Sequence, residues 1–320
     1  MFMKPFAFAF VFPGQGSQSV GMLDGWEHHP EVQQALQEAS DALGEDVGRL
    51  IHDGPKEALA LTINTQPVML VAGVAAYRVW MAEVGVAPQA LAGHSLGEYS
   101  ALVAAGVLTL TQAAPLVRFR AEAMQNAVPV GGGAMAAVLG LDASKVIATC
   151  AEVTSVLGQN GSEVVEAVNF NDPSQTVIAG SKAAVDAACV ALKAKGAKRT
   201  LPLPVSAPFH SSLMKRAALQ LQEKLANTVL GIPQIPVINN VDVRVETDPS
   251  RVRDALVRQA YSPVRWVECV QALAARNVSC LVECGPGKVL TGMTRRTVPE
   301  LQALALFDTA SLAEVKSILV

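Results

Sequence analysis

Charge is scarce in this chain, and where it occurs it is balanced. Only 17% of the 320 residues are charged, 25 basic against 28 acidic for a net of -3, and no block of five or more like charges occurs. A general nucleic-acid binder, which needs a basic face or tail, is not expected. Intrinsic disorder is excluded from the other side, because 51% of the residues are hydrophobic. Long apolar runs are missing too. Mean hydropathy is +0.32, yet the longest candidate span, Val68 to Tyr77, is cut by Arg78 at half the length a bilayer needs. No transmembrane helix is expected and no membrane partner. The run Phe6 to Phe12 behind Lys4 is at the short limit for a secretory core, and it enters Pro13-Gly14-Gln15-Gly16 without a small-residue cleavage site. It is read as a buried first strand.

Cysteines number five, an odd count, with no C-x-x-C and no histidine at ligand spacing. Cys150, Cys189, Cys269, Cys280 and Cys284 sit in apolar segments, as reduced core residues of a cytoplasmic protein do. No metal site is expected. Two nucleotide-binding loops are also incomplete. Gly14-Gln15-Gly16-Ser17-Gln18 has Ser19 where a dinucleotide loop needs its third glycine, and Gly285-Pro286-Gly287-Lys288-Val289 lacks the upstream glycine and the Ser/Thr after lysine. The first turn can still aim backbone N–H groups at a site.

What is present is an α/β pattern. Helices are predicted over Glu31 to Leu43, from about Asn64 to Gly85, over Leu96 to Ala105 and over Gln112 to Val128, with a strand at Gln89 to Ala92. Val130-Gly131-Gly132-Gly133 punctuates the chain. After it the order reads strand 133–140, helix 142–155, strands 164–170 and 175–180, helix 182–195 and strand 197–203, the βαββαβ order of a ferredoxin-like subdomain. The α/β pattern then returns, with helices at Ser212 to Asn227 and Ser250 to Tyr261 and a strand near Pro236 to Asn239. The expected architecture is a hydrolase-like α/β core of residues 1–130 and 205–320, interrupted by a ferredoxin-like insertion at 131–204.

Gly93-His94-Ser95-Leu96-Gly97 fits G-x-S-x-G between a predicted strand and a predicted helix. In that context the serine is pushed out of the sheet as a nucleophile, and the Leu96 N–H at the helix start can hold an oxyanion; the alternative is a chance glycine-rich turn. A serine needs a base. His28, His29 and His52 lie in polar, loop-like stretches, and His94 cannot easily fold back onto its neighbour. His210 lies beyond the proline-rich Leu201 to Phe209, ahead of a helix that Ser211 or Ser212 is placed to cap, where an imidazole tends to stay neutral; an ordinary loop histidine is the other reading. Arg120 falls within the apolar stripe Ala113, Leu116, Val117, Ala121 and Met124, so it points inward. A buried guanidinium needs a carboxylate, from the protein as a salt bridge or from a ligand.

Phe12-Pro-Gly-Gln-Gly-Ser-Gln18, Gly93-His-Ser-Leu-Gly-Glu-Tyr-Ser100, Arg120, Asn169-Phe-Asn171, Ser206-Ala-Pro-Phe-His210 and Gly285-Pro-Gly-Lys288 together, in this order, resemble the malonyl-CoA:acyl carrier protein transacylases, in the acyltransferase family of fatty-acid and polyketide synthesis. The resemblance implies an acyltransferase that moves a malonyl group from malonyl-CoA to the phosphopantetheine thiol of acyl carrier protein, ping-pong, without a cofactor. It implies that Ser95 is acylated, that His210 is the base, and that Arg120 holds the malonyl carboxylate. Gln15 and Leu96 would form the oxyanion hole through their backbone N–H groups, with Gln15 also against the substrate, and the Gln259 carbonyl would orient the histidine. A monomer is expected. Acyl carrier proteins are typically acidic, so a basic docking face is expected at Lys193, Lys195, Lys198 and Arg199, or at Lys288, Arg295 and Arg296. The competing readings are a serine hydrolase or thioesterase of acyl-CoA, an acyltransferase of a polyketide pathway, and a non-catalytic carrier-binding subunit.

Overall fold

The computed structural model describes residues 7–158, 163–205 and 207–320. Phe6 and Ser206, which the sequence places in the first strand and in the histidine motif, lie outside the described residues. By internal contacts the chain forms two compact units, one of Met1–Ala121, Thr228–Val252 and Cys269–Val320, the other of Glu122–Asn227 and Arg253–Glu268. Among the described residues the strands are β1 (Phe8–Phe12), β2 (Ala90–Gly93), β3 (Gly133–Leu139), β4 (Val165–Asp172), β5 (Gln175–Ser181), β6 (Arg199–Pro202), β7 (Val237–Ile238), β8 (Cys280–Cys284) and β9 (Gln302–Leu306).

The first unit is built on a parallel sheet of order β7-β2-β1-β8-β9. Its central strands β1, β2 and β8 are buried at every position, which is why they read as continuous apolar runs rather than alternating ones. The helix Thr62–Glu83 is buried without interruption from Thr65 to Ala76, so it has almost no amphipathic signature. It starts two residues ahead of the expected Asn64, and Pro67 therefore falls in its second turn. Two short helices, Val47–Asp53 and Lys56–Ala60, were not legible because Gly54-Pro55 breaks the pattern after only two turns. His29 is not a plain loop residue. Its Nδ1 accepts the Glu31 N–H at 3.2 Å and caps the helix Pro30–Leu43, which ends as expected at Gly44 with φ +67°.

An aromatic cluster fastens β1 to the long helix. Phe8 and Phe10 each meet Trp80 edge to face with centroids 5.6 Å apart, and the indole Nε1 donates to the Val86 carbonyl at 2.7 Å.

The second unit carries the antiparallel sheet, order β4-β5-β3-β6, with the helices Ala143–Leu157 and Lys182–Ala194 as its two crossovers. This is the expected βαββαβ ferredoxin-like arrangement, and the chain as a whole is α/β. Val138 and Ile178 from the sheet pack against Val146, Ala184, Ala188 and Leu192 from those helices. The register of β4 on β5 shifts between Ala167 and Asn169 and between Phe170 and Asp172, so the Asn169-Phe170-Asn171 motif sits on a bulged strand. The unit also contains the helix Lys215–Ala226 and the end of the helix Pro249–Gln259.

Among the described residues no helix is long and apolar enough to cross a membrane, and no cluster of three potential metal ligands occurs. Trp80→Ala removes the aromatic anchor and the part-buried hydrogen bond to the Val86 carbonyl together. It should lower the free energy of unfolding by about 3–5 kcal/mol, read from the urea midpoint.

Candidate active site

In the first unit the chain leaves β2 at Gly93, turns through His94, Ser95 and Leu96, and enters the helix Gly97–Ala104. Ser95 has φ +53°, a left-handed conformation that a residue with a Cβ rarely adopts. The turn is this tight only because both flanking residues are glycine. A Cβ on Gly93 would collide with the Gly97 carbonyl, and one on Gly97 with the Phe12 carbonyl at the end of β1. The backbone N–H of Leu96 lies at the N-cap of that helix, where N–H groups have no carbonyl one turn back to bind. The G-x-S-x-G expectation thus meets its structural requirement, a strained strand-to-helix turn.

Three residues outside the motif hold the turn. Asn240, fully buried, accepts the Ser95 N–H on Oδ1 at 2.8 Å and donates from Nδ2 to the Gly93 carbonyl at 2.7 Å. The buried Glu98 carboxylate accepts the Asn240 N–H at 2.9 Å. Arg120 is 2% exposed and donates from Nη2 to Ser95 Oγ at 3.1 Å and from Nη1 to Gln66 Oε1 at 2.6 Å. Its guanidinium also lies 5.5 Å from the centroid of the Tyr99 ring. Burial lowers the Arg120 pKa from its ordinary value, against the opposing pull of Tyr99 and Glu98, and burial pushes the Tyr99 phenol up to about 12.

The inward direction of Arg120 was legible from the helical stripe, whose five apolar members are all buried. Its hydrogen-bond partners were not, because Gln66 lies 54 positions away. A glutamine beside Pro67 at the head of a long apolar run was the available signal for Gln66, and the Asn239-Asn240 pair just past a short strand was the signal for Asn240.

The turn after β1 packs beside the same elbow, since a Cβ on Gly14 would lie 2.7 Å from the His94 carbonyl oxygen. Gln15 donates from Nε2 to Thr62 Oγ1 at 3.3 Å, and the Gly16 N–H is held by Gln18 Oε1 at 2.7 Å. The Gly285-Pro286-Gly287 loop backs this turn. Gly287 has φ +89°, and a Cβ there would lie 3.1 Å from Ser17 Cβ.

In the second unit His210 is 3% exposed and has φ +65°, again left-handed. Its Nδ1 lies 2.8 Å from the Gln259 carbonyl oxygen. A carbonyl only accepts, so Nδ1 carries the proton and Nε2 of the neutral ring is left as an acceptor. Gln259 is the last residue of the helix Pro249–Gln259, where carbonyls lack helical donors and the dipole is negative. The expected cap at Ser211 or Ser212 takes a different form. Ser211 Oγ donates to the Pro208 carbonyl at 2.6 Å, a short 3-10 turn Ser212–Met214 precedes the helix, and Glu166 from β4 accepts the Ser212 N–H at 2.6 Å. A cavity of about 600 Å³ opens in this unit, with His210, Glu166, Phe170 and Tyr261 in its wall.

Residues 9–316 match the model of the acyl transferase domain family. The chain is 53% identical over 307 residues to the malonyl CoA-acyl carrier protein transacylase of Escherichia coli strain K12, covering 96% of this chain and 97% of that protein. It superposes with a TM-score of 0.95 on the crystal structure of the acyl-carrier-protein S-malonyltransferase of Burkholderia pseudomallei, at 58% identity over 98% of this chain and 100% of that one. A malonyl-transacylase in complex with its type II PKS acyl-carrier protein matches with a TM-score of 0.92 and 52% identity over 96% of this chain and 97% of that one.

Gly97→Ala drives a methyl group into the Phe12 carbonyl. It should cost at least about 3 kcal/mol of stability, measured by chemical denaturation, whereas Gly48→Ala, whose methyl group meets nothing closer than 3.5 Å, should cost far less.

Proposed function

The chain belongs to the acyl transferase family, among its malonyl-CoA:acyl carrier protein transacylases, and we propose that it moves the malonyl group of malonyl-CoA to the phosphopantetheine thiol of acyl carrier protein through an ester on Ser95. The observation that carries this reading is a buried guanidinium 3.1 Å from the serine oxygen of a strained turn. A neutral acyl group offers such a desolvated cation no charge to bind. A malonyl group brings the carboxylate that such a cation needs, and Arg offers it two parallel N–H donors.

In this reading His210 Nε2 takes the proton from Ser95 Oγ as the oxygen bonds to the thioester carbonyl carbon. The negative charge on the former carbonyl oxygen is held by the backbone N–H groups of Gln15 and Leu96. As the carbon–sulfur bond breaks, Nε2 returns the proton to the departing CoA sulfur. The carrier thiol then repeats the sequence in reverse on the malonyl-serine ester, giving its proton to Nε2 and leaving serine restored. The Gln259 carbonyl keeps the ring in one tautomer and, at a helix C-terminus, favours the imidazolium formed at each half-reaction. Proton transfer and ester exchange suffice, so no cofactor or metal enters, and one chain suffices as well.

An acidic carrier is read as meeting one of two exposed basic clusters, Lys193, Lys195, Lys198 and Arg199 or Lys288, Arg295 and Arg296. Lys195 is already paired with Glu152, and Arg295 donates to the Ala303 carbonyl at 3.0 Å, so each cluster is partly engaged within the chain. The free cysteines, four of them buried, fit a reducing, cytoplasmic setting.

Incubation with malonyl-CoA alone should give a protein heavier by one malonyl group in intact-mass spectrometry, and Ser95→Ala should give none. Steady release of free malonate without a thiol acceptor would favour a hydrolase instead. Arg120→Ala should lower kcat/KM for malonyl-CoA by at least about 100-fold and leave acetyl-CoA unchanged or improved. An equal loss with both donors would refute the carboxylate role.

A further inference from the structure

The elbow creates a local backbone problem. β2 pairs with β7 in register through Leu91 with Val237 and Ala92 with Ile238, where β7 ends, and β2 ends one residue later at Gly93. At the very next positions the chain swings into a left-handed Ser95, so the Gly93 carbonyl and the Ser95 N–H are turned away from any further strand. The Gly93 carbonyl is buried and the Ser95 N–H half-buried, and an unmatched backbone group out of water is costly.

Asn240 meets both groups with one side chain. Its carboxamide has the shape and polarity of a peptide unit. The oxygen accepts the Ser95 N–H at 2.8 Å while the nitrogen donates to the Gly93 carbonyl at 2.7 Å, two residues beyond the end of β7. The side chain therefore continues the ladder by one rung after the main chain has departed. Its own N–H is tied to Glu98 at 2.9 Å, in the first turn of the helix that the elbow feeds. Aspartate supplies two acceptors and no donor when ionised, leucine supplies neither, and glutamine is one carbon too long for the same reach.

We propose that Asn240 is a positioning residue for the nucleophile, holding Ser95 in the left-handed backbone conformation that directs its Oγ to Arg120. The inference rests on the reading of Ser95 as the acylated residue. Its action is on the acylation step. Arg120 and Gln66 come from other helices, so donor binding does not depend on the Asn240 clamp.

The test compares Asn240→Leu and Asn240→Asp with the unmodified chain. Single-turnover malonyl-adduct formation is followed by quenched-flow intact-mass spectrometry between about pH 5.5 and pH 9, with melting temperatures recorded in parallel. A protonated aspartate carries one O–H donor and one carbonyl acceptor, and so reproduces the asparagine pairing; an ionised one sets a carboxylate against the Gly93 carbonyl. At the alkaline end, where the carboxyl is ionised, the rate for Asn240→Asp relative to the unmodified chain should therefore be at least about 10-fold lower. Asn240→Leu should be slower by about 100-fold at every pH. Affinity for malonyl-CoA, measured by calorimetry with Ser95→Ala alone and combined with Asn240→Asp, should agree within about twofold. An Asn240→Asp rate within about threefold of the unmodified chain at about pH 9 would overturn the proposal, as would an Asn240→Leu rate within the same margin or a parallel loss of donor affinity. If Asn240→Leu does not fold, the aspartate profile decides alone. Absence of any adduct on the unmodified chain would instead overturn the Ser95 reading beneath this one.

Discussion

A guanidinium removed from water constrains everything packed around it. Arg120 is buried on a helix whose other inward residues are Ala, Leu, Val and Met, so its cationic head depends on what neighbouring elements can offer. The long helix supplies an amide oxygen from Gln66, the elbow supplies a hydroxyl from Ser95, and Tyr99 supplies an aromatic face. These are neutral groups. They hold and orient the cation, while the buried Tyr99 and Glu98 favour its charged form; Arg78 is held differently, by a bidentate carboxylate from Glu38.

Backbone strain is the second constraint. Of the five non-glycine residues with positive φ among the described residues, two are Ser95 and His210. Neither relaxes, because each is locked by a partner distant in sequence, Asn240 for the serine and Gln259 for the histidine. Strain of this kind costs about 1–3 kcal/mol per residue and persists only where surrounding bonds overdetermine it.

How much of this could be read from the sequence depends on the range of the interaction. The elbow was legible because its signal is local, two glycines around a serine between a strand and a helix. The direction of Arg120 followed from helical periodicity alone. The ferredoxin-like order of β3 to β6 came through because each element has its own apolar pattern and turn residues. Residue patterns left His210 balanced between a base and a loop histidine, and only the family resemblance singled it out; its buried position and its bond to a main-chain carbonyl 49 residues on leave no trace in composition. Gln66, Glu98 and Asn240 were missed for the same reason, as single polar residues matched to partners across the fold. The helix cap at Ser212 was misassigned because the carboxylate that supplies it comes from Glu166, 46 positions upstream.

The bonds from Asn240 to Ser95 and Gly93 span 145 and 147 positions of chain. During synthesis, then, the serine emerges long before the residue that clamps it. Until the later segment arrives and that large loop closes, the turn has no partner for its two diverted backbone groups, and the side chain behaves as any flexible serine does. Any chain that stops short of Asn240 therefore loses both bonds at once, and with them the restraint on the serine's backbone.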